Sequence, residues 1–451
     1  MVWPGRFRYN RGAIVRAEIG PRERNSFFMS LRQRWIEIRS GFDPAFWVAN
    51  VTELFERLAY YGALAVLAIY LHESLKLSVQ QTTSLIGFFG FVAWFLPVLS
   101  GTLADRFGFR RALLFAYAIT SVGYFLLGSL AAPWMAPLRG TIHPGWLAGP
   151  VLFLSALGPS VVKPCVAGTI ARASRENVRS VGYSIYYMLV NVGGTLGPIL
   201  ASLVRQHAGI ENVFRMSALS VFLMFWVTLF FYREPARSGG RQVESVGAAL
   251  RNMFVVLSNL RFVAFLLIYS LFWVLFWQEF LSVPLFVRGY VNPNAPVDAM
   301  LSTDALTVIC LQLLVNYATR KIPLFPALTL GIFVSSVAWI PLALHPATGT
   351  VIATLAIVAL GEIIQAPRYY EYISRLAPPA EQGLYMGYAF LPIAIGYFIA
   401  GRLAGCLLHE FGEILKKPRE MWWVVTAIGI LTTILMWLYN RIVKPQAPAA
   451  S

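Results

Sequence analysis

The sequence is short of charge. Asp, Glu, Lys and Arg make up 13% of its 451 residues and hydrophobic residues 57%, whereas soluble domains carry about 25% charged residues. That shortage excludes a single large soluble core, because apolar windows of ~20 residues recur throughout and each could cross a bilayer. Cysteine is scarce as well. Cys165, Cys310 and Cys406 fall within apolar stretches and offer neither a disulfide framework nor metal-ligand spacing. Five scattered histidines add no His/Cys cluster, so no metal and no cofactor is expected. Nucleophile–base and phosphate-loop motifs are missing, which argues against an enzyme. Residues 1–42 are Arg-rich and lack a continuous apolar run, which excludes a secretory signal.

The apolar windows predict about twelve spans, at 46–71, 80–104, 111–132, 147–171, 180–204, 213–232, 262–288, 301–318, 324–344, 350–374, 383–409 and 421–440. The expected fold class is therefore all-α, a polytopic membrane protein. The net charge of +16 does not point to nucleic acid, since its distribution is that of loop charges. One side gathers Arg106, Arg110, Arg111, Arg172, Arg175 and Arg179, the arginines from Arg233 to Arg261, Arg320, Lys321 and Arg375. The other holds Lys76, Arg139, Arg205, Arg288, Lys416, Lys417 and Arg419. By the positive-inside rule both termini are expected in the cytoplasm, with the chain in the inner (plasma) membrane. Phe27, Phe28, Leu31, Trp35 and Ile38 share a helical face that suits an interfacial helix; a tail without consequence, or a true start at Met29, is the plainer reading.

The chain repeats itself. An offset of 203 residues aligns Gly158 with Gly361, Pro164 with Pro367, Ile170 with Ile373, Arg172 with Arg375 and Gly193 with Gly396. Two six-helix halves follow, 43–232 and 262–443, joined by a polar cytoplasmic linker at 233–261 and flanked by tails at 1–42 and 444–451. Repeated halves with a site between them are a common transporter plan.

The first span carries Glu53, Glu56, Arg57, Tyr60 and Tyr61. Their spacing of 0, 3, 4, 7 and 8 places all five on one helical face. Ionisable groups at membrane depth face a bundle interior or a water-filled path and are functional by default. One guanidinium cannot neutralise two carboxylates, so one acid tends to keep or exchange a proton. Glu53, Glu56 and Arg57 are therefore the proton-coupling candidates.

The loop after the second span contains Gly101, Asp105, Arg106, Gly108, Arg110 and Arg111 and resembles the signature loop of the major facilitator superfamily. The resemblance implies a gating and stabilising role. The string Glu-x-x-Glu-Arg-x-x-Tyr-Tyr-Gly from Glu53 resembles the first-helix motif of the proton-dependent oligopeptide transporter family. Lys163-Pro164, the stretch from Tyr183 to Gly193, and Gly361, Glu362, Gln365 and Pro367 are similar to that family too. The resemblance implies that Arg57 and Lys163 meet a substrate carboxylate and Glu362 an amino terminus. It also implies that Tyr60, Tyr61, Tyr186 and Asn191 line the cavity. Packing between helices is the alternative for Tyr60 and Tyr186, and pairing with a first-span acid is a compatible role for Lys163.

The departures are specific. Leu64 and Trp277 stand where the family has an arginine and an acid that pair across the outer gate, and Asp304 falls near an unmatched asparagine-proline. Arg368 and Arg402 are additions. Arg368, Glu371 and Arg375 read as a charge ladder closing the inner gate. Gln278 and Glu279 either contact substrate or neutralise a base, and Glu279 is expected to attract Arg402 in place of the lost pair. The expected function is a proton-coupled symporter importing a small peptide or related zwitterion, with protons and the lipid bilayer as its other partners. The alternatives are a carrier of another organic anion or modified amino acid, or a non-cycling sensor or scaffold.

Overall fold

The computed structural model describes residues 40–235, 257–376 and 382–443, with the side chains at 101–103, 105 and 382–384 outside that description. The amphipathic segment at 27–38 and most of the 233–261 linker also lie outside it.

Among the described residues twelve helices are long and apolar enough to cross a membrane. They are α1 (Pro44–Ser74), α2 (Val79–Ser100), α3 (Phe109–Ser129), α4 (Pro144–Ala173), α5 (Glu176–Ala208) and α6 (Ile210–Phe231), then α7 (Leu260–Leu281), α8 (Val297–Thr319), α9 (Leu324–Leu344), α10 (Thr348–Leu376), α11 (Tyr385–Ile414) and α12 (Pro418–Ile442). Most ends lie within about a helical turn of those expected from hydropathy. No strand forms among the described residues. With an even number of spans, Pro44 and Ile442 lie at one face of the bundle, the terminal face.

α7 departs from the expected single helix. Its first segment, Leu260–Phe276, stops at Trp277, and short turns Gln278–Leu281 and Val283–Phe286 follow. The cause is Pro284, which has no N–H to give and whose ring crowds the preceding turn. Gln278 and Ser282 repair part of the loss. Gln278 Nε2 donates to the Val274 carbonyl at 2.9 Å, and Ser282 Oγ donates to Gln278 Oε1 at 2.5 Å.

The repeat has a packing counterpart. Gly158 on α4 presses on α3, where an added Cβ would strike Thr120 and lie 2.7 Å from the Ala116 carbonyl. Its partner Gly361 on α10 presses likewise on α9, at Ser335 and at 2.5 Å from the Gly331 carbonyl. Gly193 fits α5 against Arg57 and Leu58 of α1, while Gly396 fits α11 against Ser270 and Trp273 of α7. Each half thus docks its fifth helix on its first through a missing side chain. Gly158→Val and Gly361→Val are each expected to lower the melting temperature of the purified protein, by overpacking worth about 1–3 kcal/mol. A wild-type melting curve for either variant would contradict this packing.

The halves meet along α2 with α11, α5 with α8, and α1 with α7. At the face opposite the termini two ion pairs cross between them. Arg205 at the end of α5 grips Asp298 at the start of α8 with Nε–Oδ2 at 2.7 Å and Nη2–Oδ1 at 3.1 Å. Arg288, beyond α7, meets Glu73 of α1 at 2.8 Å. The remaining ion pairs between described residues stay within one half.

Candidate functional site

α1 starts cleanly because Asp43 caps it, accepting from Ala45 N at 2.9 Å, and Pro44 fits the first turn. Gly62 and Gly197 let α1 and α5 touch backbone to backbone. Glu53, Glu56 and Arg57 are each 1% exposed or less. Arg57 Nε lies 3.3 Å from Glu53 Oε1 and 2.5 Å from Glu56 Oε2, and its Nη2 also reaches Glu56. One base therefore serves two acids, as the spacing predicts. Glu53 Oε2 and Glu56 Oε1 are left without a hydrogen-bond partner. Tyr186 Oη donates weakly to Glu53 at 3.4 Å, and the guanidinium sits 4.9 Å from the Tyr60 ring centre.

Lys163 completes this group from α4. Its ammonium lies 2.9 Å from the centre of the Trp94 ring and has no carboxylate within ion-pair distance among the described residues, although Glu53, Glu56 and Arg57 all act on it electrostatically. The cation stands on an aromatic face instead of in a salt bridge with α1. Tyr60 is buried, stacked on Phe89 and edge-on to Tyr61, while Tyr61 is half-buried. Packing accounts for Tyr60, whose hydroxyl faces Trp94 and Tyr397.

The other half contributes three acids among the described residues. Glu362 on α10 and Asp304 on α8 are half-buried, and Glu279 on α7 is fully buried. Tyr187 of α5 faces Glu362 and Asp304 electrostatically across the halves and is still 40% exposed. Exposed Tyr183, Tyr187 and Met188 lie on the half of α5 nearer the terminal face, while the opposite face carries the two cross-half ion pairs. Arg57 and Lys163 on one wall and carboxylates on the other can hold the two ends of a zwitterion.

Several expected positions are engaged elsewhere. The Gln278 amide is spent inside the broken stretch of α7 and is fully buried. Asn191 gives its amide N–H to the Tyr187 carbonyl at 2.9 Å. The ladder on α10 has one rung: Arg375 pairs with Glu371 at 2.5 Å, but Arg368 turns to Thr319 at 2.8 Å and Asn316 at 3.3 Å on α8. These bonds stay inside one half, so they close no gate between halves in this state. Glu279 and Arg402 do not pair. Arg402 is exposed and lies over Phe398, whereas Glu279 points into the bundle with neither oxygen bonded. Trp277 stacks on Tyr397 with centroids 3.9 Å apart and leans on Trp94 of the other half at 6.3 Å. An aromatic plug occupies the position of the lost acid.

In the signature loop Gly108 has φ +89°, a conformation that glycine adopts freely. Glu234, just past α6, caps α3 by accepting from Phe109 N at 2.9 Å and Arg110 N at 2.8 Å, and Arg110 Nη2 donates to the Leu229 carbonyl at 2.6 Å. Arg106 and Arg111 are exposed, and the side chains of Gly101 and Asp105 are outside the description. Glu234, Arg205, Asp298, Glu73 and Trp94 were not among the sequence candidates. The one signal for the latch was a pair of opposite charges at the far ends of α5 and α8.

A model of the Major Facilitator Superfamily matches residues 51–367 and 295–451. A multidrug resistance protein MdtH of Photorhabdus laumondii is 23% identical over 376 residues, 83% of this chain and 89% of that protein. MdtH of Salmonella paratyphi B is 22% identical over 403 residues, 86% and 92% of the two chains. Among solved structures, a POT family transporter in complex with a thioalcohol conjugated peptide superposes with TM-score 0.74 at 18% identity, covering 88% of this chain and 96% of that one. A POT family transporter in complex with 5-aminolevulinic acid gives 0.72 at 18% identity, with 88% and 96% covered. With its twelve spans in two matching halves, this multi-pass membrane protein belongs to the Major Facilitator Superfamily.

Proposed function

We propose that the chain is a proton-coupled symporter that imports a small peptide or related zwitterion through the inner (plasma) membrane, with both termini cytoplasmic. The observation that carries this reading is the buried group on α1, in which Glu53 and Glu56 share Arg57 at 3.3 and 2.5 Å. Such a group changes its proton count when a substrate carboxylate competes for the guanidinium. Lys163 adds a second cation on the same wall, and Glu362 opposite offers a partner for an amine. With the termini inside, the latched face is the outer one and the cavity opens inward.

Uptake into vesicles of peptides of defined length, with and without an inward proton gradient, tests the proposal. Gradient-dependent accumulation of a zwitterion is expected; equal uptake under both conditions would refute it. Lys163→Ala and Glu362→Ala are expected to lose affinity for opposite ends of the substrate. Peptides blocked at the carboxyl end should therefore be hurt less by Lys163→Ala than free peptides are, by about 10-fold for a lost charge-assisted contact. Identical losses for every analogue would mean that both residues are structural.

A second reading draws on the cation-free acidic wall of Glu279, Asp304 and Glu362, together with the MdtH relatives. It is export of an organic cation in exchange for protons. Efflux of a cationic dye that the zwitterion does not inhibit would favour it over import.

A further inference from the structure

We propose that Glu279 and Asp304 form a second proton-binding site, lodged in the carboxy-terminal half and separate from the Glu53, Glu56 and Arg57 group. The inference rests on the reading of the chain as a proton-coupled carrier.

Glu279 sits on the turn Gln278–Leu281, just past the break of α7 at Trp277. It is 0% exposed, and neither carboxyl oxygen has a hydrogen-bond partner. Asp304, about two turns inside α8, has a buried Oδ1 that is also without a partner. The charged groups acting on Glu279 are Asp304 and Glu362, both acids, and α11 adds the Tyr397 hydroxyl. Asp304 is faced in turn by Glu362 from α10, Tyr61 from α1 and Tyr187 from α5. Among the described residues no Lys, Arg or His lies within ion-pair distance of these three carboxyls. The contrast with α1 is direct, since there every acid has a guanidinium.

An ionised carboxylate buried without a partner is strongly disfavoured even after relaxation, and neighbouring acids add to that cost. Taking up a proton removes the charge and provides an O–H donor where none existed. Two or more carboxyls in one site share that proton as a unit. Asp304 is half-buried and Glu279 fully so. The proton therefore enters from cavity water at Asp304, rests on Glu279, and returns to water when the cavity faces the other side. Both residues share elements with the latch: α8 also carries Asp298, the partner of Arg205, and α7 leads on to Arg288, the partner of Glu73. Charge at this site is thus placed to bias the closure of the halves.

The test uses the full chain purified into lipid nanodiscs, without substrate. It records the infrared band of protonated carboxyls and the protons released on raising the pH. Wild type is expected to lose such a band on titration, and Glu279→Gln to release about one proton per molecule fewer. Asp304→Asn is expected to shift the midpoint of the remaining band. Glu279→Asp keeps a titrating group and serves if the amide variant fails to fold; its band must move and not vanish. An unchanged band and proton count in Glu279→Gln, or an unmoved band in Glu279→Asp, would overturn the site. Failure of the transport reading looks different: the band is present, but no solute moves with the gradient.

Discussion

Glu56→Gln is expected to abolish accumulation of substrate against its gradient while leaving exchange of labelled for unlabelled substrate measurable. The amide keeps the shape of the carboxylate but cannot take up or give back a proton. The cluster should survive the change, because Arg57 retains Glu53 at 3.3 Å and the pair becomes one acid with one base. Arg57→Ala is the contrasting case. It strands Glu53 and Glu56, each 1% exposed or less, and removing one side of a buried ion pair costs about 3–5 kcal/mol. That variant is expected to express poorly or melt many degrees lower, whereas Glu56→Gln should melt near wild type. The measurements are counterflow and gradient-driven uptake in proteoliposomes, beside thermal melting. If Glu53→Gln and Glu56→Gln both accumulate substrate like wild type, the coupled proton travels elsewhere.

Much of this architecture was legible because membrane helices obey one dominant constraint. A stretch that crosses lipid must be apolar and about 20 residues long, so hydropathy located all twelve spans. The face of α1 followed from helical period alone. The shared offset of Gly158 with Gly361 and Gly193 with Gly396 signalled contacts that the two halves make in the same way. Other features depend on partners distant in sequence. The break in α7 arises where Pro284 meets a helix that must also pack Trp277 against Tyr397. Arg402 was expected inside, yet Gly401 is the residue that touches Gly87 of α2. One position further on, a side chain is turned by about 100°, and Arg402 faces outward over Phe398. Glu279 lost its presumed partner for the same reason. Lys163, read as meeting a substrate carboxylate with a first-span acid as a compatible partner, stands on Trp94, while Arg57 contacts both Glu53 and Glu56.

The largest conformational effect is expected from the latch between Arg205 and Asp298. Asp298 is 0% exposed and Arg205 18%, and their contact is bidentate at 2.7 and 3.1 Å. The second cross-half pair, Arg288 with Glu73, is 22% and 41% exposed, and pairs that open to solvent are worth about 0–1 kcal/mol. The first pair therefore dominates closure at this face. Opening must separate the ends of α5 and α8, so its energy belongs to the closed state alone. Losing about 3 kcal/mol there shifts the balance of states roughly 150-fold. The readout is the labelling rate of Ser302→Cys, which replaces a residue buried at 4% exposure beside the latch, on a background lacking Cys165, Cys310 and Cys406. Asp298→Ala and Arg205→Ala are expected to speed that labelling strongly, and Glu73→Gln only slightly. The exchanged pair Arg205→Asp with Asp298→Arg should restore slow labelling, since the charges then meet with reversed sign. Slow labelling in both single variants would show that the aromatic plug of Trp94, Trp277 and Tyr397 holds the face opposite the termini shut without the ion pair.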